Sequence, residues 1–580
     1  MSNISVFFNK KNTVITAFFI LLYIVLVCYS NFHFVDDYAL FMDERITYDG
    51  VEAIYNAKDN KVMQKAIYDG GDQRYGRILW NSMAFFSYIP TEIWGSKGQI
   101  ISGRLFQALL LLLSYLLLTY TFLDKKISRV IGLAFLLYLP YTPYYASMPK
   151  PEPQQLFTLS LFLFYAYKND FRVGWYWIFL GLTVGAKISG IPIALFFLGL
   201  ILIRKNKPKS IKTEKNKKKK ASAVQKGNTT KNKPPKKIEK KGSVGNRLGN
   251  IVKAILLVMA GWIIAVPLMF KGIMQKLGVK YDEYANDDIL ANIHQNIFGN
   301  VASKELSIID NTINWGVYLF TDWSYLFLPL MLVLILVYIY LFGTHFLDHL
   351  KAKKSFQDLL LDKAVLAFIV ANSFSLVIFL KIERLWGFYH HFGSVFLVLS
   401  ALVIVEHKQF RGILKDKVKI GLFVLAGISI GNLIFGSYME YNKLAQRADS
   451  PEHQKREKQY KITMDLVDRA YAQISKSNSQ AKVFILASSR IYQPSLYFEK
   501  AYFRRCYNTI FWGMGAHYVI LERDYSIPPQ KDAPQKEMNT YLTYKKFVAE
   551  APKTTCNQNV CYKEILRDTS LDLYIYQRIK

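Results

Sequence analysis

The chain has 580 residues, of which 52% are hydrophobic and 15% aromatic, and its mean hydropathy is positive at +0.12 although 20% of it is charged. That mixture excludes an ordinary soluble globular protein and fits apolar spans alternating with polar loops, the pattern of an integral membrane protein. The net charge of +31 does not mark a nucleic-acid binder, because residues 204–249 alone hold eighteen Lys or Arg against two Glu; this insert cannot bury a core and reads as a disordered cytoplasmic loop lying near anionic lipid.

In chain order, the first apolar run covers Asn12 to Ser30. It follows few lysines and lacks a small-residue cleavage site, so it reads as a retained helix rather than a signal peptide. Further spans lie near 100–122, 129–146, 154–167, 174–203, 251–270, 322–343, 364–380, 392–406 and 418–436. Positive charge assigns the N-terminus and residues 124–129, 204–249, 344–363 and 407–417 to the cytoplasm. For the basic insert to stay inside, the run 174–203 must cross twice. Gly185, Lys187, Gly190 and Pro192 at its centre all disfavour an unbroken apolar helix, so two short helices meeting at the outer side are expected, giving about eleven crossings.

The expected fold is mostly α: a polytopic transmembrane helical bundle over 1–437, followed by a small exterior α/β domain over 438–580. Within that tail, "AKVFILASS", "AHYVILERD" and "LDLYIYQRI" read as strands and 453–475 as a helix. Four cysteines are too few for a disulfide framework. Cys28 lies in the first span, while Cys506, Cys556 and Cys561 lie in the tail, where one bridge is expected in an oxidising compartment and Cys556 with Cys561 is the nearest pair. There is no CxxC, no zinc-ligand spacing and no Walker or Rossmann glycine pattern, and no metal-ligating residues are assigned.

This topology places the unusual polar groups on one side. The exterior receives the acidic loop 31–99, the turn at 141–153, the Lys187 turn, the loop 271–321 and residues 381–391. "FVDDYALFMDERITYDG" at 34–50 presents Asp36, Asp37, Asp43 and Glu44 directly behind the first span. As local structure, Asp43 and Glu44 would favour the start of a helix lying along the membrane surface. Lys187 sits inside an apolar stretch, where a lysine normally has a carboxylate or phosphate partner, or else snorkels to the interface. Prolines on both sides of Glu152 in "MPKPEP" would fix its direction. "KIERLWGFYHH" offers Arg384, Tyr389, His390 and His391; a His pair without further clustered ligands is weak evidence for a metal site.

The order and common sidedness of "MDER", "MPKPEP" and the broken "GAKISG" helix pair resemble the GT-C superfamily of polyprenyl-phosphate-dependent glycosyltransferases, which includes the protein O-mannosyltransferases and the lipid A aminoarabinose transferases. The resemblance covers the layout of residues 13–436. It implies a general base from the first exterior loop, which maps to Asp43 with Glu44 beside it; Asp36 and Asp37 form a rival pair. It implies a second acidic position at Glu152, with Lys150 where relatives often carry a basic residue, and a phosphate contact at Arg384. Lys187, Tyr389, His390 and His391 complete the expected substrate-binding set. Glu152 either orients the acceptor or helps to hold a divalent cation, Mg or Mn. The implied partners are a polyprenyl-phosphate-linked sugar, a glycan, lipid or protein acceptor, and membrane lipid. The implied location is a bacterial inner membrane, with the N-terminus cytoplasmic and the C-terminal domain periplasmic. The rival reading is a transporter or flippase of lipid-linked sugars, which predicts repeated halves that the sequence does not show convincingly.

Overall fold

The computed structural model describes residues 10–33, 42–55, 77–203, 244–266, 328–352, 355–375, 391–410 and 412–451 and, further on, short stretches that include 483–486, 518–522, 552–557, 560–571 and 573–579. Helix α1 is Lys10–His33, an apolar run with no Pro or Gly to interrupt it. Helix α2, Met42–Tyr55, is amphipathic: Glu44, Thr47, Tyr48 and Val51 are buried at the i, i+3, i+4, i+7 spacing of one helical face. Helix α3, Arg77–Phe122, bends sharply at Gly95 (φ 61°, ψ −144°), a backbone conformation that only glycine adopts at little cost. Before the bend it exposes Phe85, Tyr88, Ile89, Ile93 and Trp94, as a helix lying along a membrane surface would; after it, the helix is largely buried.

Helices α4, Lys126–Leu137, and α5, Thr142–Ser147, divide the apolar run expected at 129–146, the break coming at Pro140 and Tyr141 (φ 66°). Helix α6, Pro151–Lys168, starts with prolines at positions where a helix has no internal N–H bond to lose. The expected break at Lys187 is present. Helix α7 is Trp177–Ala186, a single 3-10 turn covers Ile188–Gly190, and helix α8 is Ile191–Ile203. The two run in opposite directions, since Phe197 of α8 packs against Phe171, which precedes α7, and against Phe162 of α6. Helix α9, Val244–Ala265, lies beside α7 with its backbone in contact. A Cβ on Gly181 would stand 2.0 Å from the Val258 carbonyl oxygen, and one on Gly261 2.1 Å from that of Ile178, so this crossing requires both glycines.

Five helices close the bundle: α10 (Leu328–Lys351), α11 (Phe356–Leu360), α12 (Lys363–Ser375), α13 (His391–Phe410) and α14 (Asp416–Ala445). Among the described residues, six helices, α1, α3, α9, α10, α13 and α14, are long and apolar enough to cross a membrane, with α7, α8 and α12 as shorter apolar helices. The mostly α, polytopic architecture expected from the sequence is therefore the one observed, and the chain is an integral membrane protein.

The C-terminal segment forms a five-stranded sheet in the order β1-β2-β5-β4-β3: β1 Val483–Leu486, β2 Tyr518–Glu522, β3 Thr554–Asn557, β4 Val560–Asp568 and β5 Leu573–Arg578. β1 and β2 are parallel and the other pairs antiparallel. Strands β1, β2 and β5 are the three expected; the β3–β4 hairpin was not anticipated. Cys556 and Cys561 face each other across that hairpin and are disulfide-bonded, the pairing that proximity favoured. Cys506 and most of the helix expected at 453–475 lie outside the described residues.

Candidate active site

Helix α2 brings the first acidic segment onto the bundle. Its buried face docks through Tyr48, whose hydroxyl donates to the Ile100 carbonyl of α3 (2.8 Å), and through Thr47, whose hydroxyl donates to the Pro149 carbonyl (3.2 Å). One turn before Thr47 lies Glu44, and one turn beyond Ile100 lies Arg104. These two meet: Arg104 Nε donates to Glu44 Oε1 at 2.8 Å, and both side chains are almost fully buried.

Pro149 leads directly into Lys150, Pro151 and Glu152, so the Thr47 contact joins the acidic loop to the "MPKPEP" turn. Glu152 falls in the first turn of α6, where the helix dipole favours a carboxylate. It is buried, and its Oε1 accepts a hydrogen bond from Lys187 Nζ, the lysine at the break between α7 and α8. Gln155, one turn on, holds that break in place: its Nε2 donates to the carbonyls of Lys187 (2.9 Å) and Thr183 (3.2 Å), and its Oε1 accepts from Ser189 (3.3 Å). Lys150 is buried with its Nζ 4.8 Å from the Tyr144 ring centroid, a cation–π contact.

This end of the bundle also concentrates polar atoms that the fold itself does not satisfy. Glu44 Oε2, Glu152 Oε2, Asn31 Oδ1, Gln99 Nε2, Gln107 Oε1, Ser147 Oγ and Gln154 Oε1 are all buried and have no hydrogen-bond partner among the described residues. A buried unpaired polar atom costs roughly 1–3 kcal/mol, so the seven such atoms at this end, beside two ion pairs, leave hydrogen-bonding capacity that a polar ligand can use.

Of the residues expected from the sequence, Glu44, Glu152, Lys150 and Lys187 are therefore brought together. Asp43 is the second residue of α2, adjacent to Glu44. His391 is buried at the start of α13, with Nε2 2.8 Å from the Tyr115 hydroxyl and Nδ1 2.7 Å from the Pro140 carbonyl; both ring nitrogens are thus engaged within the protein. Asp36, Asp37, Arg384, Tyr389 and His390 lie outside the described residues.

Sequence reasoning missed Arg104, along with Gln99, Gln107, Gln154 and Gln155. The signal for Arg104 was present: it interrupts the apolar run "QIISGRLFQALLLLLSYLLL", and the argument that singled out Lys187 applies to it equally. The glutamines carry no charge and gain meaning only when the fold gathers them.

No protein-family model matches the chain, and no curated protein matches it. Among solved structures, the crystal structure of ArnT from Cupriavidus metallidurans bound to undecaprenyl phosphate is similar, with a TM-score of 0.52 at 12% identity over 97% of this chain and 97% of that one. The apo state of the same protein aligns over 98% of both chains at 12% identity, with a TM-score of 0.47. The likeness to the lipid-bound structure bears out, at the level of fold, the layout read from "MDER", "MPKPEP" and "GAKISG": this chain shares its fold with ArnT.

Proposed function

We propose that the chain is a membrane glycosyltransferase that moves a sugar from a polyprenyl-phosphate donor to an acceptor on the exterior face. The observation that carries this reading is the convergence of two buried acid–base pairs, Glu44–Arg104 and Glu152–Lys187, among unsatisfied polar atoms at one end of a bundle whose fold is shared with a protein crystallised with undecaprenyl phosphate.

In this proposal the acceptor oxygen attacks the anomeric carbon as the bond from that carbon to the phosphate oxygen breaks, and the electron pair leaves on the lipid phosphate. Asp43 takes the acceptor proton. Lys187, aimed by Glu152 and by the Gln155 bonds to its backbone, stabilises the charge growing on the departing phosphate, with Arg384 as a second cation. Direct displacement inverts the anomeric centre and requires no second carboxylate nucleophile. Glu44, held by Arg104, anchors the start of α2 and so places Asp43.

The described donors do not make a set for Mg or Mn, because each of the two carboxylates is already matched by its own cation, Arg104 or Lys187, leaving no net negative charge to draw in a divalent ion. The mechanism uses no metal step.

The test is transfer of radiolabelled sugar from a panel of polyprenyl-phosphate donors by the purified full-length protein, with Asp43→Asn alongside. Transfer that falls about 10²–10⁴-fold in the variant, with donor binding retained, supports the base assignment. Undiminished transfer by the variant moves the base to Asp36, Asp37 or Glu152. If the wild type transfers nothing but moves lipid-linked sugar across proteoliposomes, the flippase reading replaces this one.

A further inference from the structure

The opposite end of the bundle holds a cluster that the proposed reaction does not use. In "THFLDHLK", near the end of α10, His345 and His349 are four residues apart and so share one helical face. Both are buried, at 1% and 4% exposure, which is unusual for two imidazoles at the end of an apolar helix. They converge on a single carboxylate: His345 Nε2 is 3.0 Å from Asp362 Oδ1 and His349 Nε2 is 3.1 Å from Asp362 Oδ2. Asp362 is itself fixed, because its Oδ1 accepts from the backbone N–H groups of Ala364 and Val365 as the cap of α12. The two imidazole rings are 4.8 Å apart, and a third, His407 of α13, lies 5.2 Å from His345.

We propose that His345, His349 and Asp362 bind one divalent transition metal of zinc type, which clamps α10 to the start of α12. Three ligand atoms within 4.8 Å of one another, from two imidazoles and a carboxylate, are the donor set that zinc favours. With metal–ligand bonds of about 2.0–2.1 Å, a tetrahedral site has edges of about 3.3 Å. The two imidazoles face different oxygens of the one carboxylate, His345 Nε2 at 3.0 Å from Oδ1 and His349 Nε2 at 3.1 Å from Oδ2, so a metal seated between them would draw ligand atoms that now lie within 4.8 Å of one another in towards those edges. The fourth position falls to water or to His407. Neighbouring charges do not compete for the site: Lys363 Nζ is committed to Asp124 at 2.8 Å, and Lys408 Nζ lies 3.6 Å from Asp348.

The clamp has a structural purpose. Helix α10 exposes Leu332, Leu336, Ile339, Tyr340 and Leu350, so much of its surface gains nothing from packing within this chain. In lipid the hydrophobic effect does not press helices together, and a metal shared between two of them supplies the missing fixation. The competing arrangement is metal-free, with both imidazoles donating N–H bonds to Asp362.

The test uses full-length protein without an oligohistidine tag, stripped with chelator in detergent and then offered zinc alone or Co(II) as a spectroscopic probe. The expected result is one zinc per chain, a visible ligand-field spectrum of four-coordinate Co(II), and an unfolding temperature several degrees higher with zinc than with chelator. His345→Gln with His349→Gln, checked for folding by circular dichroism, should weaken zinc binding at least 100-fold, whereas Glu152→Gln at the other end should leave it unchanged. A wild-type chain that takes up no zinc, or a folded double variant that binds it as the wild type does, overturns the proposal. Should the double variant not fold, wild-type stoichiometry and the Co(II) spectrum decide alone.

Discussion

The two ends of the helical bundle both bury charge, and they do so in opposite ways. At the Glu44 end, two acid–base pairs stand among glutamine, asparagine and serine atoms that lack partners among the described residues. At the His345 end, a carboxylate is surrounded by donors: Asp362 accepts from two histidines and two backbone amides, and Glu406 likewise accepts from the amides of Asp124 and Lys125. His349 Nδ1 and Tyr167 Oη are also buried with no hydrogen bond among the described residues at the His345 end, so the difference lies in the carboxylates: those of the His345 end are met by donors, whereas Glu44 and Glu152 each keep one oxygen unmet, capacity that a ligand can use.

The sharpest way to break the comparison is to remove one partner of a buried pair at the site end. Arg104→Met leaves Glu44 buried with its charge uncompensated and should destabilise the protein by roughly 3–5 kcal/mol. The double change Arg104→Met with Glu44→Gln should recover most of that stability, because no lone charge is then left behind. Thermal unfolding of both variants in detergent measures it; a double variant no more stable than the single one would mean that Arg104 is held by other groups. Sugar transfer should stay low in both, since the start of α2 loses its anchor.

Lys187→Met separates charge from anchoring. Loss of a cation at the departing phosphate is expected to lower transfer about 10²–10³-fold. Lys187 retains 18% side-chain exposure and lies at the break between α7 and α8, where Gln155 holds the backbone independently, so the cost in stability should be smaller than for Arg104. Lys187→Arg should rescue part of the rate if charge is what matters. Transfer at the wild-type rate by Lys187→Met would remove Lys187 from the mechanism.

Chelation then acts on the other end. Stripping zinc should lower the unfolding temperature by several degrees while leaving the transfer rate at a temperature well below unfolding near its original value, because the His345 cluster touches none of the groups assigned to the reaction. A rate that collapses with chelator while the fold persists would instead place a divalent ion at the site end, against the charge argument made for Glu44 and Glu152.

Much of this was legible in the sequence because membranes make polar residues conspicuous. The break at Lys187, its need for a carboxylate or phosphate partner unless it snorkels, and the common side of the "MDER" and "MPKPEP" segments follow from where charge is expensive and which side positive loops prefer; the structure supplies Glu152 as the partner and joins the two segments. Arg104 was equally visible and was passed over within a leucine-rich run. The glutamine shell and the metal cluster were not visible in the same way. Gln99, Gln107 and Gln154 are ordinary in sequence and become informative only when α3 and α6 bury them at the same end. His345 and His349 stand at i, i+4, a spacing that the sequence reading overlooked in finding no zinc pattern, and Asp362 reaches them only through the turn of α11, which no periodicity reports.

The smallest expected effect concerns the C-terminal sheet. The Cys556–Cys561 bond closes a loop of about six residues, for which loop-closure entropy gives a stabilisation of about 2 kcal/mol. The cross-strand pairs Thr555 with Tyr562 and Asn557 with Val560 already hold the two strands in register, and β4 is fixed on its other side by β5. Cys556→Ser with Cys561→Ser should therefore speed amide hydrogen exchange in β3 and its turn, leave β5 protected and leave sugar transfer unchanged. If transfer falls instead, the sheet contributes to the reaction, and the division between an end that fastens and an end that waits must be extended to include it.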